Sequence, residues 1–332
     1  MSSRARAQGE ALRSSNRLPV TAFALLLVAL SACSRTQVTA QTSPPPPITF
    51  AGEWGTRGGE PGQLSHPEWI ATDSRGDVFV ADSGSGYIQK FDPTGHPLLA
   101  FDDRVPGDPF RLAVDSGAGI YVLGRNADSI FVFSPEGEPF RHYPLLPIKA
   151  HQRPESVAVD DAGDIFVIVN EGKSSVAGAI EHSEIRIYNV RGRYKKTLVP
   201  PATSGTPFVP ASLAAGTDGY VYILDASSTI VQKFTLDGEF VTAWGNPPLT
   251  SADASVPHGI GIGVNSKYVF TPDPAHRGIL AWSHDGQSRF ADSLDYRLQN
   301  IGGVFQIAAS PRGELLVLDV SGSRVLRFRV NF

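Results

Sequence analysis

The sequence predicts an all-β fold: a six-bladed β-propeller of four-stranded blades in which the N-terminal strand closes the last blade. Three observations carry this expectation. One short pattern returns six times along residues 48–332, its spacing suits a four-stranded unit, and the two ends of that region each hold part of one blade.

The pattern is a loop, often ending in proline, then two variable residues, a short apolar strand, a glycine turn and a second apolar strand. It is fullest in Pro67-Glu-Trp-Ile-Ala-Thr-Asp-Ser-Arg-Gly-Asp-Val-Phe-Val-Ala-Asp82. It returns as Pro109-Phe-Arg-Leu-Ala-Val-Asp, Pro154-Glu-Ser-Val-Ala-Val-Asp, Pro210-Ala-Ser-Leu-Ala and Pro257-His-Gly-Ile-Gly-Ile. A degenerate copy, Val304-Phe-Gln-Ile-Ala, closes the set. The apolar anchors Ile70, Leu112, Val157, Leu213, Ile260 and Ile307 are spaced by 42, 45, 56, 47 and 47 residues. The long step contains an insertion, residues 171–184, in the third blade.

Val78-Phe-Val-Ala, Ile165-Phe-Val-Ile-Val and Leu315-Leu-Val-Leu are unbroken apolar runs, as expected of strands covered on both faces. Hairpin turns fall at Arg75-Gly76, Asp218-Gly219, Arg312-Gly313, Thr94-Gly95, Asp237-Gly238 and Asp285-Gly286, where a positive φ is needed. Closure is read from the ends. The segment Ile48-Thr-Phe-Ala-Gly-Glu-Trp54-Gly55 matches an outer strand ending Val241-Thr-Ala-Trp244-Gly245, while residues 304–332 hold only three strands. The first segment would supply the fourth and cover an open sheet edge.

Taken together, Trp54-Gly55, Gly62-Gln63-Leu64, His66-Pro67, Ile70-Ala71, Val80-Ala81-Asp82-Ser83-Gly84 and Ile88-Gln89-Lys90-Phe91-Asp92 resemble an NHL repeat. The resemblance covers residues 48–332, least closely in blades two and six. It places Asp82, Asp225 and Asp319 at the recurrent acidic position of the repeat, and the expected role there is capping backbone donors at a turn.

The N-terminus reads as an export signal. Arg4, Arg6, Arg13 and Arg17 precede an apolar run, residues 18–30, whose 13 residues fall short of the roughly 20 needed to span a bilayer. Leu30-Ser31-Ala32-Cys33 follows and resembles the lipobox of bacterial lipoprotein precursors, in which the cysteine is acylated and becomes the mature N-terminus. Cys33 is the only cysteine, so intrachain disulfides and cysteine-rich metal sites are excluded. The expected domains are a signal peptide, 1–32, a lipidated tether, 33–47, rich in Ser, Thr, Gln and ending in four prolines, and the propeller, 48–332. This implies a cell-envelope, extracytoplasmic, lipid-anchored protein. Ser34 is not the aspartate associated with inner-membrane retention, which favours the outer membrane where the host has two. Removing residues 1–32, with four Arg and one Glu, leaves 25 basic against 32 acidic residues, a net charge of −7. With no basic stretch to follow phosphates, nucleic acid is not an expected partner.

Entry loops to the inner strands should ring one channel mouth. Their first variable positions are Glu68, Phe110, Glu155, Ala211, His258 and Phe305. Pro257-His258-Gly259-Ile260 resembles the Pro-His-x-apolar motif of peptidyl-hydroxyglycine lyases, six-bladed relatives that hold zinc with three such histidines on alternate blades. Here alternate blades offer Glu68, Glu155 and His258, a set suited to a divalent cation, zinc or calcium. Two of the lyase histidines are absent, and Gly84 stands where that family has a tyrosine. Arg111 offers another way to balance the glutamates. Trp69 adjoins Glu68 as a candidate ligand contact, whereas Trp54 and Trp244 occupy positions suited to interblade packing. His66, His96, His142, His276 and His284 share no register and are read as solvated. No catalytic residue is assigned. The expectation is a monomeric ligand-binding or scaffold module for an envelope protein, peptide or glycan; the alternative is a metal-assisted lyase or hydrolase at the channel mouth.

Overall fold

A computed structural model describes residues 48–102, 109–124, 128–149, 151–172, 180–203, 205, 207–226, 228–246, 261–273, 278–287, 289–292 and 305–330. The chain divides into two compact units, Met1–Thr42 and Ser43–Phe332, and the second holds every described residue. The expected signal segment, Cys33 and tether fall outside those residues, as do Ile260 and His258.

Six four-stranded sheets follow the repeats. The chain enters with β1 (Ile48–Trp54), which belongs to the last blade. Blade 1 is β2 (Pro67–Thr72), β3 (Val78–Asp82), β4 (Tyr87–Phe91) and β5 (Pro97–Asp102). Blade 2 is β6 (Pro109–Val114), β7 (Ile120–Gly124), β8 (Ser129–Phe133) and β9 (Pro139–Pro144). Blade 3 is β10 (Gln152–Val159), β11 (Ile165–Gly172), β12 (Ile180–Tyr188) and β13 (Tyr194–Leu198). Blade 4 is β14 (Pro210–Ala215), β15 (Tyr220–Asp225), β16 (Val231–Thr235) and β17 (Phe240–Trp244). Blade 5 is β18 (Gly263–Val264), β19 (Tyr268–Asp273), β20 (Gly278–Ser283) and β21 (Arg289–Asp292). Blade 6 is β22 (Phe305–Ala309), β23 (Glu314–Asp319) and β24 (Arg324–Val330), completed by β1. The expected closure is therefore present, with Ile48 opposite Val330 and Trp54 opposite Val325. The third-blade insertion is partly strand: it lengthens the β11–β12 hairpin, so that Asn170 pairs with Ser183 and Glu171 with His182.

The core lies between blades. Six apolar clusters occur, each joining two successive blades around the ring. A strand such as Val78–Asp82, buried at every position, needs apolar residues on both faces, which is why these strands read as unbroken apolar runs. Ile70, Leu112, Val157, Leu213 and Ile307 are all buried, and each contributes on the order of 1.5–3 kcal/mol through burial.

The outer edges interlock by a repeated device. The turn between third and outer strands carries a glycine of positive φ, and a large apolar side chain of the preceding blade lies across it. Trp54 covers Gly95, Phe101 covers Gly137, Tyr143 covers Gly192, Leu198 covers Gly238 and Trp244 covers Gly286. At Gly95 a methyl group would stand 2.2 Å from the Trp54 ring, so no other residue fits. Trp54 and Trp244 accordingly pack between blades, Trp54 with its ring centroid 4.5 Å from that of Phe91.

The recurrent aspartates cap loops. Asp82 accepts the backbone N–H groups of Ser65, His66 and Gly84; Asp225 accepts that of Val209, and Asp319 that of Gly322. All three are buried.

Candidate functional site

The entry positions are shaped by a backbone irregularity that the sequence pattern did not reveal. In blades 1 to 4 the inner strand slips register after its proline: Pro67 pairs with Asp82 but Trp69 with Ala81, and the same shift spans Pro109/Arg111, Pro154/Ser156 and Pro210/Ser212. The skipped residues are Glu68, Phe110, Glu155 and Ala211, the first variable positions. A bulge leaves such a residue outside the ladder and turns its side chain away from the regular alternation. The proline removes a donor where the ladder is already interrupted, so proline and bulge belong together.

The second variable positions stand on one rung and are buried: Trp69, Arg111, Ser156, Ser212 and Gln306. Arg111 joins three blades. It rises from blade 2, lays its guanidinium 4.5 Å from the Trp69 ring centroid of blade 1, and donates from Nε to the Glu155 carbonyl of blade 3 at 2.8 Å. A guanidinium with 5% exposure requires such partners, and a desolvated cation–π contact is worth about 2 kcal/mol. Glu68 Oε1 accepts the Ser83 hydroxyl at 2.7 Å. Glu68 and Glu155 are half-buried.

Of the residues singled out from the sequence, Glu68, Trp69, Arg111 and Glu155 gather on the entry ends of blades 1 to 3; His258 is outside the described residues. Among the described residues no group of three or more His, Cys, Asp or Glu side chains is placed to hold a metal ion. A cavity of about 210 Å³ is lined in blade 1 from Trp69 to Ser74, and Asp115, Ser116, Asp161 and Thr217 line it from the turns after other inner strands. Its walls come from the inner strands of all six blades and are mostly Ala, Val, Ile and Leu. Of the second variable positions among the described residues, Trp69 lines this cavity.

His66, His96 and His142 are exposed, as expected. His284 is not: its side chain is 18% exposed and wedged between blades 4 and 5. The sequence signal was the neighbouring blade, where Gly216 replaces the acid that caps this turn in blades 1 to 3 (Asp73, Asp115, Asp160), and Asp218 stands two residues on.

No family model and no curated protein matches the sequence. Solved structures do. A streptogramin B lyase is 17% identical, with a TM-score of 0.54 over 86% of this chain and 88% of that one. The virginiamycin B lyase from Staphylococcus aureus is 12% identical, with a TM-score of 0.55 over 85% of this chain and 99% of that one. Kuenenia stuttgartiensis hydrazine synthase is 12% identical, with a TM-score of 0.51 over 80% and 96%. At these identities the likeness is one of fold.

Proposed function

We propose that this chain is a lipid-anchored, extracytoplasmic NHL-type propeller that binds a peptide, protein or glycan at the entry mouth of its first three blades. The observation that carries the binding reading is the set of bulges at Glu68, Phe110, Glu155 and Ala211, with Arg111 held rigidly behind them. A bulged residue leaves the regular alternation of the ladder, and the buried Arg111 fixes the backbone of one of them through the Glu155 carbonyl. The anchor rests on the Leu30–Cys33 lipobox following a short apolar run.

Two measurements test the two halves. Screening the protein against peptide and glycan arrays should yield binders whose signal falls at least tenfold in Glu155→Ala at unchanged melting temperature; binders indifferent to Glu68, Glu155 and Arg111 substitutions would remove the mouth from the reading. Cys33→Ser should shift the protein from the detergent phase to the aqueous phase or leave it unprocessed, and equal partitioning of both forms would refute the anchor.

A second reading, a metal-assisted lyase, is favoured by the lyases among the structural neighbours and by the alternation of Glu68, Glu155 and His258. About one equivalent of zinc or calcium per chain, lost in His258→Ala, would support it. Protein purified without chelator and free of metal would leave the binding reading.

A further inference from the structure

The face opposite the entry mouth carries the turns after the inner strands and the turns between third and outer strands. The chain joins the propeller on this face. Its first strand, β1, is the outer strand of blade 6, with Ile48 opposite Val330, and Val330 donates to the Gly313 carbonyl in the turn after β22. On the lipid-anchored reading, residues 33–47 are a tether of 15 residues that leads onto this face, with a reach of up to about 50 Å. A tether of that length leaves the propeller free to turn, so a fixed orientation must come from the propeller's own surface.

That surface has an apolar rim. Leu98, Phe140, Val190, Tyr194, Phe240 and Val241 are between 43% and 61% exposed. Each lies on an outer strand of blades 1 to 4, or in the turn before it, within three residues of that turn's glycine. Among the described residues, Val199 is the one large exposed apolar side chain that stands away from this rim. Exposed apolar residues scattered singly are ordinary, but six gathered at one level of one face mark a contact surface.

The rim of blade 3 adds charge. It reads Asn189-Val-Arg-Gly-Arg-Tyr-Lys-Lys196, four cations within six residues of a chain whose mature part carries −7. Asn189 Oδ1 accepts the backbone N–H groups of Arg191 and Arg193, each at 3.0 Å, which fixes the turn. Lys195 pairs with Asp164, whereas Arg191, Arg193 and Lys196 are exposed and meet no carboxylate among the described residues. Arg141 of blade 2 extends the patch: its guanidinium lies 4.4 Å from the Phe140 ring centroid and donates to the Tyr143 hydroxyl, which donates to the Val190 carbonyl. The flanking turns are acidic, with Glu136 and Glu138 in blade 2 and Asp237 and Glu239 in blade 4, so the cations form a local patch. One hairpin is too short to follow a nucleic-acid backbone. Cations set among aliphatic and tyrosine side chains suit a membrane interface, where phosphates lie above acyl chains.

We propose that the face opposite the entry mouth rests on a lipid surface, with the apolar rim of blades 1 to 4 at the interface and Arg191, Arg193 and Lys196 on lipid phosphates. This rests on the anchor reading and adds an orientation to it. The entry mouth, at the other end of the same strands, then opens away from the membrane. Near an anionic surface each cation favours the bound orientation about fivefold, and the three together about a hundredfold. Without them a propeller of net negative charge would be held by its tether alone.

The full lipidated protein in vesicles of phosphatidylethanolamine and phosphatidylglycerol tests this. With Cys33 acylated, one added cysteine carries a fluorophore: Glu136→Cys on the rim of blade 2, or Glu60→Cys in the loop leading into β2 at the entry end. Both positions are exposed. Nitroxide-bearing headgroups should quench the label at residue 136 several-fold more than the label at residue 60. Reversing the patch with Arg191→Glu, Arg193→Glu and Lys196→Glu should bring the two signals together at unchanged melting temperature. Equal quenching in the unreversed protein, stronger quenching at residue 60, or indifference to the reversal would overturn the orientation while leaving the anchor intact. Protein that does not float with the vesicles at all would overturn the anchor, and the orientation with it.

Discussion

The seam between blades 6 and 1 and the seam between blades 4 and 5 are built on one plan and differ in their turns: Pro93 stands where the other has His284, and Ser310 and Arg312 where the other has Gly216 and Asp218. Each lays a tryptophan of the outer strand over a glycine of the next blade's turn, Trp54 over Gly95 and Trp244 over Gly286. In each, a cation at the same position of the third strand donates to the carbonyl of the next residue pair's turn, Arg327 to Pro93 at 2.7 Å and Lys233 to His284 at 3.0 Å. At the closing seam that residue is proline, which holds the turn. At the other it is histidine, whose Nδ1 lies 3.1 Å from Asp218 of the preceding blade. Packing common to all seams supplies stability, and the polar contacts of Asp218 with His284 are set on that frame between blades 4 and 5.

The largest effect should come from removing what is unique to the closing seam. Deleting residues 48–54 strips blade 6 of β1 and exposes the row of β24 backbone groups now paired with it. Aggregation or loss of the cooperative melting transition is expected, whereas deleting residues 34–43 should leave the melting temperature within about 1 °C, because that segment lacks the apolar composition to add to a core. Similar melting of both deletions would show that closure contributes little.

Next come the glycines that the two seams share. Gly95→Ala places a methyl 2.2 Å from the Trp54 ring at a φ of +94°, and Gly286→Ala places one 2.4 Å from Trp244 at +71°. Each should cost about 2–4 kcal/mol through overpacking and backbone strain, lowering the melting temperature by roughly 5–10 °C. Comparable losses would confirm that the plan is common; a tolerant Gly286 would show that the charged seam relies less on packing.

The smallest effect separates the seams by acid. Asp218, its side chain 22% exposed and its carboxyl held down at about 2, contributes stability that is complete above about pH 4 and is lost as pH falls toward 2. Discounted for solvent screening, its share is about 1 kcal/mol. Asp218→Asn should flatten the acid limb of the melting profile by that amount, and an unchanged limb would assign acid sensitivity to other carboxylates.

Much of this was legible in the residues because blades repeat. Anchor spacing, glycine turns, the long third blade and the split sixth blade all follow from patterns that recur or fail to recur along the chain. The entry ring was legible as a set of positions, but the bulges were not, since a bulge is a mismatch between two strands and neither strand alone records it. His284 was misread as solvated for a related reason. Its turn resembles any exposed hairpin, and its burial comes from Asp218 and Lys233, dozens of residues earlier.

The sequence by itself determined the blade number, strand order and closure, because each depends on local periodicity and on apolar runs that must be covered on both faces. It also marked which residues stand at the entry of each inner strand. Only the tertiary structure decided which of them meet: that Arg111 spans three blades, that Trp69 lines the cavity, and that an acid from one blade faces an imidazole from the next. Those relations arise between strands distant in sequence, where geometry and the surrounding dielectric, rather than local pattern, set what a side chain can do.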